Sequence, residues 1–75
     1  MDEDVLERVY LEHLDEQLIE YLASKRSIDY QSAMDIYYRS DLAAKIHEGR
    51  YGIQYLDYKA LEEILEKTEP GLFNN

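Results

Sequence analysis

The chain has no cysteine and no tryptophan, a single proline, three glycines, and eight lysines and arginines against 17 acids. Each scarcity excludes something. Without cysteine there is neither a disulfide nor a thiolate metal site. Small secreted domains lean on such staples, so their absence favours a reducing, cytoplasmic setting. The opening Met1-Asp2-Glu3-Asp4 is acidic where a signal peptide would be basic. No uninterrupted apolar run exceeds three residues, so no membrane-spanning segment is expected. The glycines are Gly49, Gly52 and Gly71, and they cannot be arranged as a nucleophile elbow, a phosphate loop or a dinucleotide fingerprint.

The shortage of cations is uneven. Residues 1–20 hold eight acids against Arg8 alone, a net of −7. Residues 21–50 hold five cations against four acids, a net of +1. Residues 51–75 hold five acids against two lysines, a net of −3. Together these make the −9 of the whole chain. Such a surface repels phosphate backbones and anionic lipid and attracts basic partners. It also serves plain solubility.

With 75 residues, one domain covering 1–75 is expected. A chain this short buries only about 60% of the surface its unfolded form exposes. Its core supplies a few kcal/mol of net stability at most, so oligomerisation or a partner would help. Hydrophobic residues make up 45% of the chain, too many for intrinsic disorder.

Periodicity points to an all-α, small orthogonal domain of three or four helices with a long N-terminal helix. That first helix is expected over about Asp4–Ser24. Asp4 would cap it, and Glu7 would complete a variant of the capping box. Leu11, Leu14, Leu18 and Tyr21, spaced 3, 4 and 3, share one face with Leu22 close by, and Leu6, Val9 and Tyr10 lead into it. Glu12, Glu16 and Glu20 line another face at intervals of four, either as a solvated surface or as a docking surface for a basic partner.

Asp29 is the expected cap of a second helix reaching about Arg39, with Ala33, Ile36 and Tyr37 inward. Ser40 would cap a short third helix that carries Leu42, Ala43 and Ile46 inward and stops at Gly49. The alternative is one helix running from Asp29 to Glu48. Arg50–Leu56, with Gly52 and two tyrosines, reads as an extended connector. Asp57 would cap the last helix, with Leu56 and Leu61 at staple spacing. Tyr58, Leu61, Ile64 and Leu65 would face inward, and Glu62, Glu63 and Glu66 would face water. Pro70-Gly71 ends that helix, leaving a tail over 70–75 that either frays or packs back.

The two histidines, His13 and His47, fall short of the three or four ligands a metal needs. No catalytic, cofactor or metal residue is assigned, and no enzyme activity is expected. The eight tyrosines either substitute for phenylalanine in a thin core or line a binding surface. Tyr38, Tyr51 and Tyr55 flank the two expected breaks. With Glu12, Glu16 and Glu20 they form the candidate partner-binding set.

The stretches Ala33-Met34-Asp35-Ile36-Tyr37-Tyr38-Arg39-Ser40, Leu42-Ala43-x-x-Ile46, Gly49-x-Tyr51-Gly52-Ile53 and Asp57-Tyr58-x-x-Leu61 resemble short uncharacterised bacterial proteins, a domain of unknown function. Those proteins occur in small gene cassettes with ADP-ribosyltransferase-like toxins. The resemblance covers roughly residues 16–73. It implies an antitoxin or accessory binding role in a bacterium and transfers no functional residue. The leading expectation is therefore a cytoplasmic protein-interaction module with another protein, a basic one, as partner, and with no cofactor. Two alternatives stand beside it. One is a helix-turn-helix-like regulator reading DNA through Arg39, Lys45 and Arg50, which the acidic charge opposes. The other is a self-associating structural protein whose tyrosines complete a homodimer core.

Overall fold

The structure, a computed structural model, describes the backbone of residues 2–73 and the side chains of residues 5–49 and 52–73. It is all-α: α1 (Asp2–Arg26), α2 (Tyr30–Tyr38), α3 (Asp41–Glu48) and α4 (Tyr58–Thr68), with no strand among the described residues. A 3₁₀ helix, Arg50–Tyr55, joins α3 to α4, and a second one, Pro70–Phe73, follows α4. At 1.5 Å per residue, 25 residues make α1 about 37 Å long. It sets the long dimension of a molecule measuring 42 × 22 × 18 Å.

Local chemistry explains each boundary. Asp4 already lies within the helical backbone of α1, so it is not the cap, and the helix runs on past Ser24 to Arg26. There Ser27 takes a left-handed φ of 58°, and the Ile28 N–H closes the end on the Ala23 carbonyl at 3.0 Å. The Asp29 carboxylate accepts the Ser32 N–H at 3.2 Å, and the Ser32 hydrogen bonds hold its carboxyl below the usual range. The chain breaks between α2 and α3 instead of running straight through. Ser40 Oγ accepts the Ala43 N–H at 3.1 Å and donates to the Tyr37 carbonyl at 2.5 Å. An anion completes that helix start from 27 residues away: Glu69 accepts the Asp41 N–H at 2.9 Å and the Leu42 N–H at 3.0 Å. Gly49 ends α3 in the left-handed region at φ 71°. A side chain there would be strained and would also press on the Gln54 amide, 3.2 Å from an added Cβ. Asp57 caps α4 through the Lys59 N–H at 3.2 Å.

The expected extended connector at Arg50–Leu56 is instead a 3₁₀ helix through Tyr55. Left-handed Gly49 and Gly52 let the backbone coil tightly where aromatic β-preference alone would have stretched it.

The core gathers Leu14, Leu18, Ile19 and Leu22 of α1, Ala33, Ile36 and Tyr37 of α2, Leu42, Ala43 and Ile46 of α3, and Leu61 and Leu65 of α4. Leu11, Tyr21, Tyr58 and Ile64 sit half-buried at its rim. Glu62, expected to face water, is fully buried. It is one turn beyond Tyr58 on the packed side of α4, where Lys25 reaches it from the end of α1, Nζ to Oε1 2.8 Å. Lys25 also lies 3.3 Å from Glu66, itself only partly exposed, and Arg26 lies 3.6 Å from it. The tail packs back through Phe73, whose ring centre stands 4.3 Å from the Arg26 guanidinium.

Candidate interaction surface

Only part of α1 is covered. From Leu14 onward its inward positions meet α2, α3 and α4. Before Leu11 the helix overruns the core. There the inward positions are filled by Glu7 and Arg8, and the apolar side chains point elsewhere. Leu6, Val9 and Tyr10 do not lead into the buried stripe: they are exposed by 67, 56 and 41%, and Val5 before them by 53%. The reason is the helical phase. Val5 and Val9 share the outer line of the helix with Glu12, Glu16 and Glu20, opposite Leu11, Leu18 and Leu22.

The neighbour at this end is the 3₁₀ helix. Tyr10 donates its hydroxyl to the Gln54 carbonyl at 3.0 Å, and its ring lies 5.7 Å from that of Tyr55. Leu6, Glu7, Tyr10 and Tyr55 line an open cleft of about 320 Å³ between them. Tyr55 is 65% exposed and Leu56, next along, 43%. Among the described residues, six of the eight large exposed hydrophobic side chains thus belong to this end of α1 or to the segment beside it. Scattered exposed apolar residues are ordinary, but a contiguous group marks an interaction surface.

On the other flank of α1 lies a polar junction. Asp15 is buried, and its carboxylate accepts Tyr37 Oη at 2.6 Å and Tyr38 Oη at 3.2 Å. His47 Nε2 stands 2.8 Å from Asp15 Oδ2. One carboxylate therefore ties α1 to both α2 and α3. Burial, then the hydrogen bond from its hydroxyl to Asp15, pushes the Tyr37 phenol far up. Burial, with the Asp15 charge behind it, raises Tyr38 to about 12. Asp15 is occupied in holding the fold, and the arrangement serves architecture better than chemistry. Sequence reasoning did not single it out, although Leu11, Asp15, Leu18 and Leu22 follow a 4, 3, 4 spacing that marks Asp15 as core-facing.

The six candidate residues divide as follows. Glu12, Glu16 and Glu20 are exposed along the outer line of α1. Tyr55 joins the apolar end beside Tyr10. Tyr38 belongs to the other flank: its hydroxyl turns inward to Asp15 while half of the residue stays exposed. The Tyr51 side chain lies outside the described residues. Val5, Leu6, Val9 and Tyr10 complete the surface and were not among the candidates. The signal for Val5 and Val9 was their shared phase with the glutamates rather than with Leu18.

Among the described residues no group of three or more histidine, aspartate or glutamate side chains is placed to hold a metal ion, and no helix is long and apolar enough to cross a membrane. Comparison with protein-family models, with curated proteins and with solved structures found no match to this chain.

Proposed function

We propose that the chain is a cytoplasmic protein-interaction module that acts by binding another protein. The observation that carries this reading is the clustering of exposed apolar side chains where α1 overruns the core. Leu6 and Tyr10 stand there against Tyr55, and Val5, Val9 and Leu56 are exposed on the same two segments, on a domain whose small core leaves little stability in reserve. The resemblance in residues 16–73 gives the reading its biological setting, an antitoxin or accessory partner within a bacterial toxin cassette.

The DNA-reading alternative finds less support. The exposed positions of α3 include Asp41, Ala44, Lys45 and Glu48, a mixture with no excess of cations to offer phosphates. Arg39 is engaged by Asp35 at 3.3 Å.

The test is capture from the native cells with tagged wild-type protein, followed by mass spectrometry. One protein partner recovered in stoichiometric amount supports the module. Recovery of nucleic acid, or of the bait alone, overturns it.

A further inference from the structure

Resting on the interaction reading, we infer that the outer face of α1 receives an amphipathic helix from the partner. The apolar end of that helix seats on Val5, Leu6 and Val9, and its basic end lies along Glu12, Glu16 and Glu20.

The first ground is the order of residues along one line. Val5, Val9, Glu12, Glu16 and Glu20 follow one another at intervals of 4, 3, 4 and 4, so all five stand on the same face. From Val5 to Glu20 that face runs about 22 Å, four turns of a facing helix. It is apolar for its first two turns and acidic for the rest. An occupant must match both halves: a purely apolar helix would strand the acids, and a purely basic one would strand the valines.

The second ground is charge left uncompensated within the chain. Among the described residues, Glu12, Glu16 and Glu20 make no ion pair. The cations that do pair are committed elsewhere: Lys25 to Glu62 and Glu66, Arg26 to Glu66, Arg39 to Asp35. Like charges four residues apart destabilise an isolated helix. Lysine or arginine from outside relieves that repulsion and gains attraction along the whole ridge.

The third ground excludes a second copy of this chain. An antiparallel copy of α1 in full overlap would lay Val5 and Val9 against the glutamates, and one shifted to pair Val5 with Val9 would bring the glutamates no cation. A parallel copy would lay Glu12 on Glu12. Arg8 is the one cation before Lys25 on this helix, too few to balance either arrangement.

The experiment uses two synthetic helical peptides of opposite chain direction. Each carries a leucine stripe at one end and a lysine stripe on the same face at the other, and a control replaces the lysines with glutamates. Binding is read by fluorescence anisotropy at two salt concentrations. One lysine peptide should bind and the control should not. Val9→Asp should weaken binding about tenfold or more. Glu16→Lys combined with Glu20→Lys should weaken it comparably and flatten its salt dependence. Both variants alter exposed positions, and circular dichroism checks that they stay folded. Failure of both lysine peptides to bind overturns the inference. So does indifference to either variant, or a self-associated wild type that Val9→Asp makes monomeric. If a cellular partner is captured equally by wild type and by Val9→Asp, the module stands and this surface falls. If no partner is captured, the module itself falls.

Discussion

The two halves of α1 carry similar side chains to opposite ends. In the second half Leu18, Ile19 and Leu22 are buried against three other helices. In the first half Val5, Leu6 and Val9 stand in water on the same helix. Nothing intrinsic to leucine or valine separates them. What differs is whether the fold has anything to set against that stretch, and among the described residues Val5, Leu6 and Val9 find little cover. An apolar residue on a helix reports a wish for cover, and only tertiary structure says whether this chain or another supplies it.

The contrast can be broken most forcefully at Leu18. Leu18→Ala should cost about 3 kcal/mol, while Leu6→Ala should change stability by less than about 0.5 kcal/mol. Urea denaturation of the two variants measures both. Equal costs would mean that the first half of α1 is covered after all.

A smaller effect is expected at the polar tie of the packed half. Asp15→Ala leaves the Tyr37 hydroxyl buried without its acceptor and should cost about 2 kcal/mol. Asp15→Asn, which keeps an acceptor, should cost less. If alanine and asparagine prove equally mild, Asp15 is a bystander rather than the bolt between α1, α2 and α3.

The subtlest effect lies where α1 ends. Burial, and then the Glu66 carboxylate beside it, push the Glu62 carboxyl above its ordinary range, with Lys25 working the other way. A raised folded-state value means that the contribution of the bound proton is complete below the unfolded value and is lost as pH rises through the folded one. Glu62→Gln keeps a neutral group there at every pH. Its stability relative to wild type should therefore climb as pH rises above the ordinary glutamate range, as followed by urea midpoints. A flat difference would show that Lys25 fully compensates the buried charge.

What could be read in the sequence was what neighbours along the chain decide. Asp29, Ser40, Asp57 and Gly49 sit at helix ends because their own side chains or backbone satisfy adjacent peptide groups, and each was recognisable from residue type and position. Ala33, Ile36 and Tyr37 were legible for the same reason, since a short helix shows one apolar face. Three features depended on distant partners and were not legible. Glu62 looked like a surface acid until Lys25 arrived from α1. Asp15 became a junction only when α2 and α3 brought Tyr37, Tyr38 and His47 to it. Leu6, Val9 and Tyr10 read as the lead-in to a core that ends before it reaches them. The glutamate ridge was visible as a pattern, but its continuity with the valines required knowing which side of α1 the core occupies.

The carboxylate clasp on the first amides of α3 couples that helix to the far end of α4. An eight-residue helix is too short to persist alone in water, and this one borrows part of its start from Glu69. Glu69 is also the residue at which α4 ends. A change that frays the end of α4 therefore withdraws the anion from α3, which then keeps Ser40 as its one side-chain cap, so damage at one helix end is felt at the start of another.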